Sequence, residues 1–224
     1  MEKTIFFLAI AVMALSACSK EEPDPKPVVG ETKEVQIDAT SNTVWHYFAF
    51  AENKIVGSEE ESVDNNAKWG ARKDWDVAFC KYHIRTNSGA FTKANAQGGV
   101  YIFKTKEMEG HVYVYDDANS SYEKINSVPA GITFATDTEK EFKQMGGIIL
   151  KRIQSEASSV TFKMKLMDKE KDIWGKEMPP VYLKAPLCLF RSADGKKVYK
   201  VHFKEYLNAD AVSGHITLRY AEIE

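Results

Sequence analysis

Apolar and polar residues alternate along most of the chain from residue 34 onward. Strict alternation places successive side chains on opposite faces of a β-strand. The clearest runs are VWHYFAF (44–50), HVYVY (111–115), VTFKMKL (160–166) and GHITLRYAEIE (214–224). Turn-forming residues separate such runs, among them Asn87-Ser88-Gly89 and Asp194-Gly195. The pattern therefore predicts many short antiparallel strands joined by turns.

Two segments need separate interpretation. DWDVAFCKYHIRT (74–86) is β-rich throughout and is predicted as one long strand. DTEKEFKQM (137–145) has the polar composition of a short helix, with Thr136 or Asp137 near its N-cap. No repeat of fixed period and no second boundary interrupts residues 34–224. We therefore expect one all-β domain there, with antiparallel strands in packed sheets and little helix.

The N-terminal residues follow a different pattern. Lys3 precedes the apolar run TIFFLAIAVMALSA (4–17), which is short for a membrane span. The motif Leu15-Ser16-Ala17-Cys18 resembles the bacterial lipobox, in which the cysteine thiol is lipidated and becomes the new N-terminus. Residues 1–17 are therefore predicted to be a lipoprotein signal peptide, and Cys18 the lipidation site. The alternative is an ordinary secretory signal followed by a chance cysteine.

Residues 18–33 read as an extended linker, because Pro23, Pro25 and Pro27 favour polyproline II. Lys20 and two glutamates directly after Cys18 resemble a surface-export signal of lipoproteins in some Gram-negative bacteria. A polar linker without that signal is the alternative. We expect an outer-membrane lipoprotein displayed on the cell surface and attached to the membrane through its lipid anchor alone.

Composition narrows the function further. The 30 Lys and Arg residues are offset by 32 Asp and Glu residues, which gives a net charge of −2. This near-neutral charge does not indicate binding to nucleic acid. Once Cys18 is lipidated, Cys80 and Cys188 remain, each within an apolar strand-like run. Two buried free thiols are the favoured interpretation, and a disulfide between them is the alternative in an oxidising compartment.

Catalytic signatures are missing from the sequence. It has no G-x-S-x-G, P-loop or dinucleotide fingerprint, and its five histidines never pair at i, i+2 or i, i+4. Four histidines lie within or at the start of strand patterns and are interpreted as structural: His46, His83, His202 and His215. His111 is less constrained. We expect no enzyme; a hydrolase with unrecognised residues is a minor alternative.

Two stretches point to a family. TVWHYFAF (43–50) contains the aromatic pattern W-x-Y-F-x-F, and WDVAFCKYHIRTNSG (75–89) begins with W-D-x-A and ends in an asparagine-glycine turn. Together they resemble the HmuY family of haemophore lipoproteins. Further similar stretches follow in order: GGVYIFKTKEM (98–108), FRSADGKKVYKVHFKEY (190–206) and SGHITLRY (213–220). The resemblance implies an all-β fold with a haem-holding cleft. It also implies haem delivery to a TonB-dependent outer-membrane receptor, with host haemoproteins as a source of haem.

The same resemblance directs attention to methionines. The founding type of the family holds iron with two histidines, but His46, His83 and His202 occupy positions where that type has no ligand. Other members use methionines, and the poorly matched middle of this chain offers Met145, before Gly146-Gly147, and Met178, before Pro179-Pro180. The resemblance therefore implies that Met145 and Met178 bind the haem iron. Mobile loop residues or rim packing are the alternative for both.

Positive charge for the haem propionates could come from WGARKDW (69–75), Lys143, Lys151 or Arg152. Each of these cations could equally be an ordinary solvated side chain. A second function on the same fold also stays open, namely a surface lipoprotein that binds a protein or glycan without haem.

Overall fold

A computed structural model of the chain describes residues 28–108, 112–117, 119–143, 149–160, 162–164, 181–183 and 186–224. The predicted signal peptide, Cys18 and most of the predicted linker lie outside these residues. The strands are β1 (Lys33–Asp38), β2 (Val44–Ala49), β3 (Lys54–Glu60), β4 (Val77–Cys80), β5 (His83–Thr86), β6 (Gly99–Ile102), β7 (Thr105–Met108), β8 (Val112–Tyr115), β9 (Thr138–Lys143), β10 (Ile149–Gln154), β11 (Phe162–Met164), β12 (Val181–Leu183), β13 (Leu187–Arg191), β14 (Val198–Leu207) and β15 (Ser213–Ile223). The helices are α1 (Val63–Gly70) and α2 (Ala157–Val160). None of the helices in these ranges is long and apolar enough to cross a membrane.

All strand pairs are antiparallel, as the alternation predicted. Five strands form one sheet in the order β1-β15-β14-β13-β6, and four form another in the order β3-β2-β4-β5. The other described strands pair as three hairpins, β7–β8, β9–β10 and β11–β12. The mostly β architecture confirms the predicted fold class.

The two larger sheets pack face to face around one apolar core. The four-stranded sheet contributes Phe48, Phe50 and Phe79, which meet aromatic rings of the five-stranded sheet. Phe79 lies edge-on to Phe203, with ring centroids 6.2 Å apart, and Phe50 lies 5.9 Å from Phe190. Interdigitated inner faces of this kind make a β-sandwich.

The other face of the four-stranded sheet is also buried. Trp45 and Tyr47 point to this side and pack with Trp69 of α1 and with Trp75. Tyr47 and Trp69 stack in parallel, with centroids 3.9 Å apart. Helix α1 was not predicted from the sequence. Its N-cap is Ser62, whose Oγ accepts a hydrogen bond from the backbone N–H of Asn65.

The long run 74–86 is a hairpin rather than one strand. β4 ends at Cys80, which pairs with His83 of β5, and Lys81 and Tyr82 make the turn. Lys81 has a φ of 54°, a left-handed conformation that glycine or asparagine usually supplies. Because neither residue is present, the sequence gives no turn signal at this point.

The predicted helix over 137–145 is wrong. Residues Thr138–Lys143 form β9, which pairs with β10 from Lys143↔Ile149 to Gln154↔Thr138. Asp137 does not cap a helix, because its carboxylate instead accepts hydrogen bonds from Thr86. Pairing between strands outweighs the weak local preference for helix here.

Two other expectations hold. Asp194-Gly195 lies in the turn between β13 and β14, with Gly195 at a φ of 77°. Cys80 and Cys188 are both buried and are not joined by a disulfide, which agrees with the interpretation favoured from the sequence. Cys188 belongs to the core between the sheets and Cys80 to the cluster on the outer face of the four-stranded sheet, so a layer of structure separates them.

Candidate functional site

Two hairpins extend from the sandwich, one beside each sheet. In the first, β10 contacts β5 at the end of the four-stranded sheet. In the second, β12 contacts β14 of the five-stranded sheet. The predicted iron ligands fall on the chain segments that join the strands of these hairpins: Met145 between β9 and β10, and Met178 between β11 and β12.

The bases of both hairpins adjoin the short helix α2. This helix follows β10, precedes β11, and contacts both β5 and β11. Ser158 binds it to β5, because its Oγ accepts from the backbone N–H of Ile84 at 2.7 Å and donates to the carbonyl of Ile84 at 2.9 Å. Ser155 adds a backbone hydrogen bond to the same carbonyl. The edge of β5 therefore organises the start of both hairpins.

Met145 and Met178 themselves lie outside the described residues, as does His111. Met145 is two residues beyond Lys143, and Met178 is three residues before Val181.

A buried charge cluster holds the base of the first hairpin. Glu61, in the segment between β3 and α1, accepts a hydrogen bond from Nη2 of Arg85 at 3.0 Å and another from Nε of Arg152 at 2.7 Å. Arg85 belongs to β5 and Arg152 to β10. A single carboxylate therefore links the hairpin to the four-stranded sheet.

Arg85 is completely buried, which is costly for a charged group unless every donor has a partner. Its Nε donates to the carbonyl of Ile153, and its guanidinium lies 3.8 Å from the ring centroid of Trp45 and 4.1 Å from that of Phe91. Burial lowers the pKa of Arg85, while Tyr47 and Glu61 favour its charged form. Stacking and pairing together fix the guanidinium in place.

Asp137 fixes the other strand of the hairpin. It directly precedes β9, and its carboxylate accepts hydrogen bonds from the backbone N–H of Thr86 at 2.9 Å and from the Thr86 hydroxyl at 2.6 Å. Burial raises the pKa of Asp137 to about 7, against the opposing effect of these hydrogen bonds and of Arg85. The hairpin thus begins at a carboxyl group that changes charge near neutral pH.

His83 lies beside this cluster and has a structural role, as predicted. Its Nδ1 lies 2.7 Å from Oε1 of Gln154, the last residue of β10. Burial and the positive charge of Arg152 lower the pKa of His83 to about 4. The imidazole is therefore neutral at physiological pH and serves as another link between β5 and the hairpin.

Two further histidines also have hydrogen-bond partners. His46 Nδ1 lies 2.8 Å from Oγ of Ser58, and His202 Nδ1 accepts from Nε of Arg219 at 3.2 Å. In the part of the chain that the structure describes, no group of three or more His, Cys, Asp or Glu side chains could hold a metal ion.

An open groove lies at the base of the first hairpin, with a volume of about 390 Å³. Its walls are mainly apolar, from Val100 to Phe103 of β6 and its extension, together with Ala135. Lys104, Asp116 and Glu156 contribute charges at its rim.

Most of the cations proposed for the propionates already have carboxylate partners. Lys151 pairs with Glu139 and Glu141 on the exposed face of the hairpin, and Arg152 pairs with Glu61. In WGARKDW, Arg72 pairs with Asp74 and lies 4.0 Å from the ring centroid of Trp69. The roles of Glu61, Arg85 and Asp137 were not predicted from the sequence; of the three, only Arg85 carries a local signal, as a charged residue inside an apolar strand.

Comparisons with known proteins agree with the architecture. A sequence model of the family described as HmuY protein matches residues 41–220. A search of curated proteins gave no match.

Several solved structures share the fold. One is a protein from Bacteroides vulgatus described as HmuY-like and haem-binding, at 19% identity and a TM-score of 0.54, covering 87% of this chain and 96% of its own. Another is the apo form of the HmuY analogue of Tannerella forsythia, at 17% identity and a TM-score of 0.53, with coverages of 88% and 98%. A third, described as a lipoprotein of Bacteroides fragilis, is 20% identical, with a TM-score of 0.51 and coverages of 84% and 88%. At sequence identities of 17–20%, the similarity to these structures establishes a shared fold and nothing more.

Proposed function

The chain belongs to the HmuY family, and we propose that it is a haemophore that captures haem at the bacterial surface. In this proposal Met145 and Met178 bind the iron from opposite faces, and the protein passes haem to a TonB-dependent outer-membrane receptor. Proteins of this family bind haem and are not enzymes. Host haemoproteins are the proposed source of the haem.

The observation that carries the proposal is the pair of hairpins on either side of α2. One adjoins the four-stranded sheet and the other the five-stranded sheet. A flat ligand held between their connecting segments would receive one donor from each. Gly146-Gly147 allows close approach of the backbone to the ligand, and Pro179-Pro180 reduces the entropy lost on ordering the second segment.

Thioether ligands fit the donor set of this chain. A thioether is a soft, neutral donor with no proton to lose, so it favours Fe(II) over Fe(III). The described histidines with resolved partners serve the sandwich or the hairpin base. We therefore expect stronger binding of reduced than of oxidised haem.

Surface attachment through lipidated Cys18 is the second part of the proposal. The lipobox-like sequence that ends at Cys18 supports lipidation. Lys20 and the two glutamates that follow it support display on the outer face of the membrane. A structural neighbour described as a lipoprotein is consistent with this location. A haem-binding protein held there would have access to haem outside the cell.

A haemin titration under air and under dithionite tests the haem proposal. The wild-type protein should give a Soret band that sharpens on reduction, and Met145→Ala combined with Met178→Ala should abolish that change. Met167→Ala is the matched control, because it removes a thioether from the same connecting segment as Met178. An unchanged reduced spectrum in the double variant would show that other residues bind the iron.

A different feature favours the alternative function, a protein- or glycan-binding module. A groove of about 420 Å³ with a mixed polar and apolar lining lies between the edge strands β1 and β3, and its polar groups include those of Gln36, Asp38, Thr40 and His46. Such groups suit carbohydrate hydroxyls. No spectral change with haemin, together with glycan binding that Gln36→Ala and Asp38→Ala weaken, would favour this function.

A further inference from the structure

Strand β1 forms one edge of the five-stranded sheet, with β15 as its neighbour in that sheet. In an antiparallel ladder, residues that bond to the neighbouring strand alternate with residues whose backbone N–H and C=O point away from it. The backbone N–H of Ala39, directly after β1, donates to the carbonyl of Gly214 in the register that β1 keeps with β15. The odd-numbered residues of β1 therefore bond to β15, and the even-numbered residues direct their backbone groups outward.

The three outward-directed residues, Glu34, Gln36 and Asp38, are all exposed. Within the ranges that the structure describes, no group bonds to their outward N–H or C=O. They offer three donors and three acceptors, spaced as in a strand ladder. A row of this kind is a template for the addition of a further strand, and extended peptides bind to many proteins in this way.

The groove of about 420 Å³ between β1 and β3 lies along this edge. Its lining includes the apolar side chains of Ile37, Val44 and Ile55. Ile55 is 36% exposed, which is unusual among the large apolar residues described. A strand added about 4.8 Å from β1 would direct every second side chain toward this groove. Apolar side chains at those positions would cover Ile55 and extend the core between the sheets.

The other face of β1 is acidic. Glu34 pairs with Lys204, with 2.8 Å between nitrogen and oxygen. Asp38 has no Lys or Arg partner in the described part of the chain, and hydrogen bonds from Thr40 hold its pKa below the ordinary value. Its carboxylate is therefore ionised and exposed at neutral pH. Because residues opposite each other on neighbouring strands share a face, a basic residue is favoured on an added strand near Asp38.

We propose that β1 and the adjoining groove form a docking edge for an extended segment of a partner protein, in which basic residues alternate with apolar ones. The segment adds antiparallel to β1 as a sixth strand of the sheet. Its backbone bonds to Glu34, Gln36 and Asp38, its apolar side chains enter the groove, and its basic side chains lie on the acidic face.

The free backbone groups favour a peptide over a carbohydrate in this groove, because a carbohydrate has no amides at the spacing of a strand. A second copy of β1 fits less well, since its corresponding face would bring Glu34 and Asp38 to a face that is already acidic. The inference does not rest on haem binding. The docking edge belongs to β1, β2 and β3 and includes no residue of the hairpins β9–β10 and β11–β12.

The test uses a fluorescein-labelled peptide of three Lys-Val repeats between two threonines, with fluorescence anisotropy at low ionic strength. We expect it to bind the wild-type protein about tenfold more tightly than the same peptide with Glu in place of Lys. Methylation of the three lysine backbone nitrogens should abolish binding, because in an antiparallel pair these N–H groups face β1. Methylation of the three valine nitrogens is the matched control, since those N–H groups point away.

Gln36→Pro is the corresponding change in the protein. It removes one outward N–H that the sheet does not use, and proline is tolerated on edge strands at such positions. The variant should bind the basic peptide about tenfold more weakly, whereas Gln36→Thr keeps the N–H and should bind like the wild type. Asp38→Asn should weaken binding by about threefold, as expected for one exposed ion pair. Circular dichroism and thermal unfolding check that each variant is folded.

Equal binding of the lysine-methylated and valine-methylated peptides would overturn the docking edge, and this comparison needs no protein variant. Unchanged binding by folded Gln36→Pro, or equal binding of the Glu peptide, would overturn it as well. Self-association of the wild type in sedimentation, abolished by Gln36→Pro, would assign the edge to a second copy instead. A protein that binds the peptide as expected but no haemin would refute the proposed haemophore function and leave the docking edge standing.

Discussion

Asp137 and Thr86 join the start of β9 to the end of β5 through a fully buried carboxyl group. Both oxygens of Asp137 lie within 3.1 Å of the Thr86 backbone nitrogen, and one lies 2.6 Å from the Thr86 hydroxyl. Burial dominates, so the pKa of Asp137 is raised to about 7 from an ordinary 3.8. Between these two pKa values, the Asp137 carboxyl group is therefore protonated in the folded protein and ionised in the unfolded chain.

This raised pKa predicts a stability that falls as pH rises from 4 to 7. The folded state binds more protons than the unfolded state in that interval, so the slope for this group is at most about 1.4 kcal/mol per pH unit. Asp137→Asn, which keeps a neutral acceptor, should remove the decrease. Urea unfolding at intervals between pH 4 and 8 measures it, and exposed Asp210→Asn is the control. Equal slopes in both variants and the wild type would contradict the prediction.

His83 should act in the opposite direction. Its folded pKa is lowered to about 4 from 6.5, so the unfolded chain binds a proton first as the solution is acidified. The stability contributed by the neutral imidazole is complete above pH 6.5 and is lost as pH falls toward 4. His83→Gln can keep the contact with Gln154 and should make the protein more stable at pH 5 relative to pH 7 than the wild type. His215→Gln, at a half-buried site, is the comparison, and an identical pH profile for the two variants would refute the assignment.

Gly57 tests how tightly α1 covers the four-stranded sheet. A Cβ atom at Gly57 would overlap Cη2 of Trp69, whose ring is stacked on Tyr47. Gly57→Ala should therefore displace the indole and lower the free energy of unfolding by about 1–3 kcal/mol. Thermal unfolding and tryptophan fluorescence measure the effect. Glu60→Ala, at an exposed position of the same strand, should change stability by less than about 0.5 kcal/mol.

Local pattern predicted the strands whose partners and faces are regular. Alternate side chains of β2 belong to two buried clusters, and β14 and β15 adjoin turns with clear sequence signals. The alternation seen in their sequences therefore matches the faces that their side chains occupy. The turn at Lys81 could not be predicted because its left-handed residue is neither glycine nor asparagine. β9 was mistaken for helix because its strand pairing with β10, rather than its own composition, decides its conformation.

The hairpin base could not be derived from sequence for a related reason. Glu61, Arg85 and Arg152 are separated by 24 and 67 positions, and nothing in the local sequence around any one of them indicates the other two. These charges are buried because β10 lies beside β5. A short stretch of sequence cannot predict that contact between distant strands. The methionine ligands came from family resemblance and stay a prediction.

Replacement of Cys18 tests the membrane attachment. Cys18→Ser should abolish incorporation of labelled palmitate and release the protein from the membrane fraction, because no acyl acceptor remains at the lipobox. Fractionation and metabolic labelling in the producing bacterium measure this. Cys80→Ser is the control, since that thiol is buried in the folded domain. Full labelling of Cys18→Ser would exclude the lipobox assignment.

The pH dependence of haem affinity separates thioether from imidazole ligands. Methionine sulfur does not titrate in this range, so the affinity for reduced haem should change little between pH 7 and 5. A histidine ligand would be protonated below its ordinary pKa, and affinity would then fall by about tenfold per pH unit for each imidazole. Competition with apomyoglobin is unsuitable because its own histidine titrates, so direct titration under dithionite is the measurement. The Asp137→Asn protein, titrated in parallel, removes the charge change at the hairpin base. A steep acid loss in both proteins would identify a histidine at the iron.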